Sequence, residues 1–376
     1  MLSFTPTLLL GLYAGQALGA VHHMFSGVFS GTDIYAIEFD DEANTLTAAN
    51  NITSIASSSK WIAIDALKKN LYVANGAQYD SYTITNSTGL EYVSSVSVDS
   101  SCSNLNYIVA SSVSPYVVFG APYSTGCAGN MLTVDSTGAL SAIVGNMTYG
   151  SGSGVHGLAL SADDKFVYSA DDMGNAVWVH SYDTTTDEVT EVQYLAAPTG
   201  ADPRHMAIDP RGAYAYVLFE ASSEIGVYAR DNSTGMLTYT NTTYPLLPTG
   251  FTNATSSYWA DEVVFSYSAD GTPKYMYAAT RSRTTTIPGY VSAFSLDSNT
   301  GAIIDQLFLT ETTGSGGSAN SVTAALFSEE YFAITDSGSN FIEMWKITAN
   351  GTSSATASAV AHFAMDSGPS TVVMYD

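Results

Sequence analysis

Positive charge is what this sequence has least of. Among 376 residues there are 11 Lys+Arg against 35 Asp+Glu, a formal charge of −24 with only 12% charged residues, about half the usual share. Nucleic-acid binders neutralise phosphates with Lys and Arg, so this composition argues against that class, and anionic membrane surfaces are poor partners for the same reason. Cysteine is nearly missing as well: Cys102 and Cys127 stand far apart, and no His pair has ligand spacing, so a structural zinc site has no donors. No Gly-x-Ser-x-Gly elbow stands between a strand and a helix, which leaves a serine nucleophile unsupported. Asp171, Asp172, Asp336 and Glu220 carry oxygen donors that calcium would accept, but nothing in their spacing demands a metal, and none is expected. Disorder is disfavoured by a 45% hydrophobic content spread along the chain.

Long apolar runs are also rare. The one at the start, residues 1–20, is too short for a stable membrane span and ends in small residues, Ala17 and Gly19. It predicts a secretory signal ahead of a mature chain 21–376 with no membrane anchor. Sequons at Asn51, Asn86, Asn146, Asn232, Asn241, Asn253 and Asn350 fit a glycosylated, extracellular protein. In that compartment Cys102 and Cys127 are expected to bridge, the alternative being two buried free thiols.

What the sequence has in abundance is strand signal: short runs rich in Val, Ile, Tyr, Phe and Thr between Gly/Asn/Asp/Ser turns. The clearest unit starts at His156 and divides into strands 157–160, 166–170, 176–182 and 189–195. A second starts at Arg204, and related pieces begin at Trp61, Asn106, Asp261 and Asn320. The apolar residue opening the last hairpin of each unit (Leu46, Leu90, Leu140, Val189, Leu237, Ile303) recurs about every 50 residues, the last interval being stretched by insertions near 249–258 and 281–288. Four strands per repeat of this length predict an all-β, seven-bladed β-propeller in one domain. The mature N-terminus supplies only three strands of a blade, so residues 370–376 are expected to close it, which removes open sheet edges. Two β-sandwich domains would leave the half-units at the ends unexplained.

A propeller places its ligand over the central channel, reached by the starts of the innermost strands and the ends of the second strands. Titratable candidates there are His156, Arg204, Glu220 and Arg281. Most cations (Lys68, Lys69, Lys165, Arg211, Lys274) fall in turns between first and second strands, which leaves Lys60, Arg204, Arg281 and Arg283 as candidates for the mouth. If they converge, a cationic well forms inside an acidic shell and suits a small anionic substrate. Each residue also has a plainer reading: His156 as a packed strand residue, Glu220 as the salt-bridge partner of Arg204, Arg283 as solvated. His205 is expected, by strand alternation, to face the other side and to serve packing or support.

The stretch ADPRHMAIDPRGAYAYVLFEASSEIGVY resembles the seven-bladed lactonase family, which includes bacterial propeller-type 6-phosphogluconolactonases and fungal carboxy-cis,cis-muconate cyclases. The cyclase branch is the nearer likeness, carried by GVHGLALSADDKFVYSADDMGNAVWVH, PRH, YPLLPTG, the ATR ending at Arg281, QLFLTETTGSGGSANSV and YFAITD in the same order. The resemblance implies a cofactor-free enzyme that closes a muconate carboxylate onto its conjugated double bond, giving a γ-lactone. It implies catalytic roles for His156, Glu220, Arg204 and Arg281, with Arg204, Arg281, Lys60 and Asn320 binding the substrate. His156 or Glu220 would deliver the proton to carbon. One departure is Ser318, in GGSAN, where the cyclase pattern carries a His. Hydrolysis of a sugar lactone is the alternative activity, and a non-catalytic, secreted binding platform is the alternative class. What separates enzyme from platform is whether the four side chains share one pocket.

Overall fold

The computed structural model describes residues 19–55, 58–251, 257–351 and 353–376. The expected signal segment lies almost wholly outside the described residues, as does Asn253. Among the described residues there are seven four-stranded antiparallel sheets. Each blade runs from an inner strand at the axis to an outer strand at the rim. The inner strands are Pro369–Met374 in blade 1, Trp61–Ile64 in blade 2, Leu105–Ala110 in blade 3 and Val155–Leu160 in blade 4. Those of blades 5, 6 and 7 are Pro203–Ile208, Tyr258–Phe265 and Val322–Ala324. Blade 1 joins both chain ends: Phe25 pairs with Val373 and Met24 with Met374. The expected C-terminal closure is therefore what the chain does.

Burial follows position in the blade. The second strand of blade 4, Phe166–Asp171, is buried at all six residues, because it is flanked by strands on both sides and covered by blades on both faces. The outer strand Glu188–Ala196 is largely exposed or half-buried. Aromatic and aliphatic side chains fill the space between neighbouring blades, as with Tyr168, Val177, Phe219 and Tyr228 between blades 4 and 5. Each such side chain contributes about 1.5–3 kcal/mol when fully buried. Cys102 and Cys127 are bonded, linking the approach to blade 3 with the turn between its second and third strands. Asn51, Asn86, Asn146, Asn232, Asn241 and Asn350 are all exposed.

One local irregularity recurs where the channel opens. In blade 3 Leu105 pairs with Pro122 and Tyr107 with Ala121, so Asn106 is an extra residue. The same shift leaves His156 extra in blade 4, Arg204 in blade 5 and Asp261 in blade 6. These are β-bulges, which bend the strand and re-aim the side chains at the bulge. Four successive blades thus turn one polar residue each toward a common point.

Candidate active site

Second strands complete the site. Blade 5's second strand ends at Phe219 and is followed by Glu220; blade 4's ends at Asp171 and is followed by Asp172. A cavity of about 590 Å³ opens there, lined by Tyr123, His156, Asp172, Asp202, Glu220, Trp259 and Arg281 among others. That volume fits a small ligand.

The two arginines are fixed by carboxylates. Arg204, buried, places Nη1 2.7 Å from Asp261 Oδ1 and Nε 3.8 Å from Glu220 Oε1. Arg281 donates from Nη2 to Glu220 Oε1 at 2.6 Å and from Nη1 to the Ser318 carbonyl at 2.9 Å. Its guanidinium lies over the Trp259 ring, 4.7 Å from the centroid, a cation–π contact that holds the group flat. The solvated Arg283 covers Trp259 as well, at 3.8 Å. Convergence is therefore present, but the expected cationic well is not: Glu220 and Asp261 already offset both cations. A substrate carboxylate reaching Arg281 competes with Glu220.

His156 sits across the cavity. Its Nδ1 is 3.0 Å from His205 Nε2, and His205 Nδ1 is 2.9 Å from Glu262 Oε2. The alternation expected for His205 fails because the bulge at Arg204 turns both neighbours inward. Its supporting position matches the expectation, and its opposite orientation does not. Space for it comes from Gly157, where a Cβ would lie 2.6 Å from His205 Cδ2 and 2.7 Å from the Arg204 carbonyl oxygen. Burial, then the Arg204 charge, holds both imidazoles well below the ordinary histidine range, and burial pushes the Glu262 carboxyl well up. Burial thus favours the uncharged form of all three.

Asp172 is raised to about 6 by burial and by the negative charge of Glu220, and it accepts a hydrogen bond from the Tyr123 hydroxyl. It occupies in blade 4 the place that Glu220 holds in blade 5, so the repeat itself contains the signal for it. Tyr123, Asp202 and Trp259 also belong to the wall without having been singled out. Two expected substrate contacts lie elsewhere. Lys60 Nζ donates to Asn104 Oδ1 at 2.6 Å, away from the cavity wall. Asn320 is buried; its amide donates to the Thr280 carbonyl at 2.8 Å, and its backbone N–H to Asp261. It braces the arginine pair rather than facing the cavity. Ser318 is exposed and meets Arg281 only through its backbone carbonyl.

Residues 23–303 match the family described as lactonase, 7-bladed beta-propeller, and the chain belongs to that family. It is 30% identical over 344 residues to the carboxy-cis,cis-muconate cyclase of Neurospora crassa, covering 87% of this chain and 92% of that one. A periplasmic gluconolactonase from Pseudomonas aeruginosa superposes with a TM-score of 0.77 at 18% identity, covering 94% of this chain and 99% of its own. A Lactobacillus plantarum protein superposes at 0.75, also at 18% identity and with the same coverage. At that identity the two solved structures show the shared fold alone.

Proposed function

We propose that this chain is a cofactor-free enzyme that forms or opens the lactone of a small carboxylate substrate, in the manner of a carboxy-cis,cis-muconate cyclase, and that it works outside the cell. The observation carrying the activity is a single cavity that brings Arg281 and Arg204 within one ion-paired cluster and sets a neutral His156 opposite. Arg281 would hold a substrate carboxylate and, with Arg204 behind it, stabilise the enolate-like charge that builds as the carboxylate oxygen adds to the double bond. His156, or Asp172 in its protonated form, would give the proton to carbon; Glu220 serves as the arginines' counter-charge. Cyclisation so written consumes one proton; its reverse takes that proton back from carbon, re-forms the double bond and frees the carboxylate, whereas hydrolysis of a lactone adds water across the ester and releases one proton. The extracellular part rests on six exposed sequons and the Cys102–Cys127 bond.

A second reading is favoured by one feature. Asp172, Asp202 and Glu220 line the same cavity, and carboxylates accept hydrogen bonds from hydroxyl groups. That lining suits a neutral, hydroxyl-rich sugar lactone. The test is to secrete the protein from a eukaryotic host, follow its mass after deglycosylation, and offer it 3-carboxy-cis,cis-muconate and glucono-δ-lactone. Loss of the conjugated muconate absorbance with proton uptake is the expected result. Acidification with the sugar lactone alone would replace the cyclase reading by the second, and inertness toward both would overturn the enzymatic reading.

A further inference from the structure

We infer that Glu262, a buried residue lining the central channel, sets through His205 which nitrogen of His156 carries a proton toward the substrate. Glu262 and His205 are thereby positioning residues for His156; the inference rests on the proposed lactone chemistry only for its kinetic readout.

The geometry is a partition between two cavities. Beneath the substrate cavity a second one of about 290 Å³ follows the axis, lined by inner-strand residues including Trp61, Tyr107, Glu262 and Thr371. Among the described residues none lines both. His156 faces the upper cavity and Glu262 the lower, and His205, 1% exposed, fills the wall between them. The edges of Trp61 and Tyr107 pack against the His205 ring, with centroids at 5.0 and 5.2 Å, so the ring is held in one orientation.

At 2.9 and 3.0 Å each link in the chain needs one donor and one acceptor. With Glu262 protonated, its O–H donates to His205 Nδ1, His205 Nε2–H donates to His156 Nδ1, and His156 presents Nε2–H. With Glu262 ionised every link reverses, His156 Nδ1–H donates inward, and Nε2 is left as an acceptor. One proton on Glu262 thus turns His156 from donor to acceptor. Arg204 Nη1, 3.5 Å from His205 Nδ1, also favours the first arrangement, because a guanidinium only donates. The groups facing this chain are Arg204 and Asp261 along its length, Arg281 above, Tyr123 beside His156 and Asn106 with its amide nitrogen 3.3 Å from each ring nitrogen of His156, Tyr107 and Trp61 beside His205, and Ser321 beside Glu262. A buried carboxylate that fixes the tautomer of a catalytic histidine is worth orders of magnitude in other enzymes.

Glu262→Gln discriminates sharply. The Val263 backbone N–H donates to Oε1 at 3.1 Å, so the glutamine carbonyl takes that side and its amide N–H faces His205, copying the protonated acid. Nitrogen-15 histidine spectra of the full chain should then show His156 protonated at Nε2 from pH 5 to 9, with kcat within about threefold of wild type. Glu262→Leu and His205→Phe should instead give mixed tautomers at His156 and a kcat lower by about 10²-fold at unchanged KM, the usual scale of general acid–base catalysis. The inference is overturned if E262L and H205F leave the His156 tautomer as it was, or if E262Q loses as much kcat as E262L. The spectra need no substrate, so a wild-type protein inert toward both lactone substrates would refute the proposed function and leave this result readable.

Discussion

Blades 3 to 6 and blades 7, 1 and 2 are built from the same four-stranded sheets, yet among the described residues the cluster of the candidate site is gathered by the first arc. In the first arc each inner strand carries a bulge, and the bulged residues are Asn106, His156, Arg204 and Asp261. In the second arc blades 2 and 7 pair without a shift, and blade 1's bulge, between Pro369 and Val372, carries Ser370 and Thr371. Ring closure asks for strands and inter-blade packing in all seven blades. It asks for charge in none. The charged arc is therefore a departure from what the scaffold needs, stabilised by ion pairs that span blades 5 and 6.

Arg204 is the central cation of the charged arc. Sequence alone suggests that Arg204→Ala abolishes turnover without unfolding. The structure changes the second half of that expectation, because Arg204 is buried against Asp261 and Glu220. Deleting one partner of a buried pair typically costs about 3–5 kcal/mol. Arg204→Ala should lower kcat/KM by about 10³-fold and also lower Tm markedly. Arg281→Ala, at the cavity wall, should lose about 10²-fold with a smaller fall in Tm. Equal Tm losses in the two variants, measured by calorimetry, would mean that the two arginines are not divided into a buried brace and a substrate contact.

The fold was legible because strand period, turn residues and the two half-blades at the chain ends all agree on one closed ring. Arg204, Arg281, Glu220 and His156 were legible because cations are so few that position in the repeat singles them out. The orientation of His205 was not, since a bulge depends on how the partner strand pairs, and alternation counted along one strand cannot show it. Lys60 illustrates the converse. It has the right place in its repeat, but blade 2 pairs without a shift, and the ammonium turns to Asn104. Asn320 was misread because a buried amide bracing a backbone carbonyl has the same sequence signature as one facing a ligand.

A sharper test concerns the negative side of the charged arc. Asp172 is protonated below about 6 and ionised above. If the substrate is a carboxylate, wild-type KM should rise as pH passes upward through 6, because the new charge repels it. Asp172→Asn should give a KM constant from pH 5 to 8 and several-fold lower than wild type at pH 8. Stability also falls as Asp172 ionises. A carboxyl raised in the folded state stabilises the fold below its unfolded value of 3.8 and loses that contribution as pH rises through about 6. The Asn variant should therefore match wild type in Tm near pH 4 and exceed it at pH 8. An unchanged KM profile would remove Asp172 from substrate recognition.

The smallest effect is expected in the silent arc, at the bulge that carries no charge. Ser370 is fully buried, and its hydroxyl donates to the Ser59 carbonyl at 2.9 Å, tying blade 1 to the start of blade 2. Ser370→Ala removes that donor and leaves the carbonyl buried, a loss of about 1–3 kcal/mol. Tm should fall by a few degrees, while kcat and KM stay within twofold of wild type, because no reacting group in blades 4 to 6 is held by this bond. A tenfold loss of kcat in a folded Ser370→Ala protein would show that ring closure and chemistry are coupled, and the two arcs would no longer be separable.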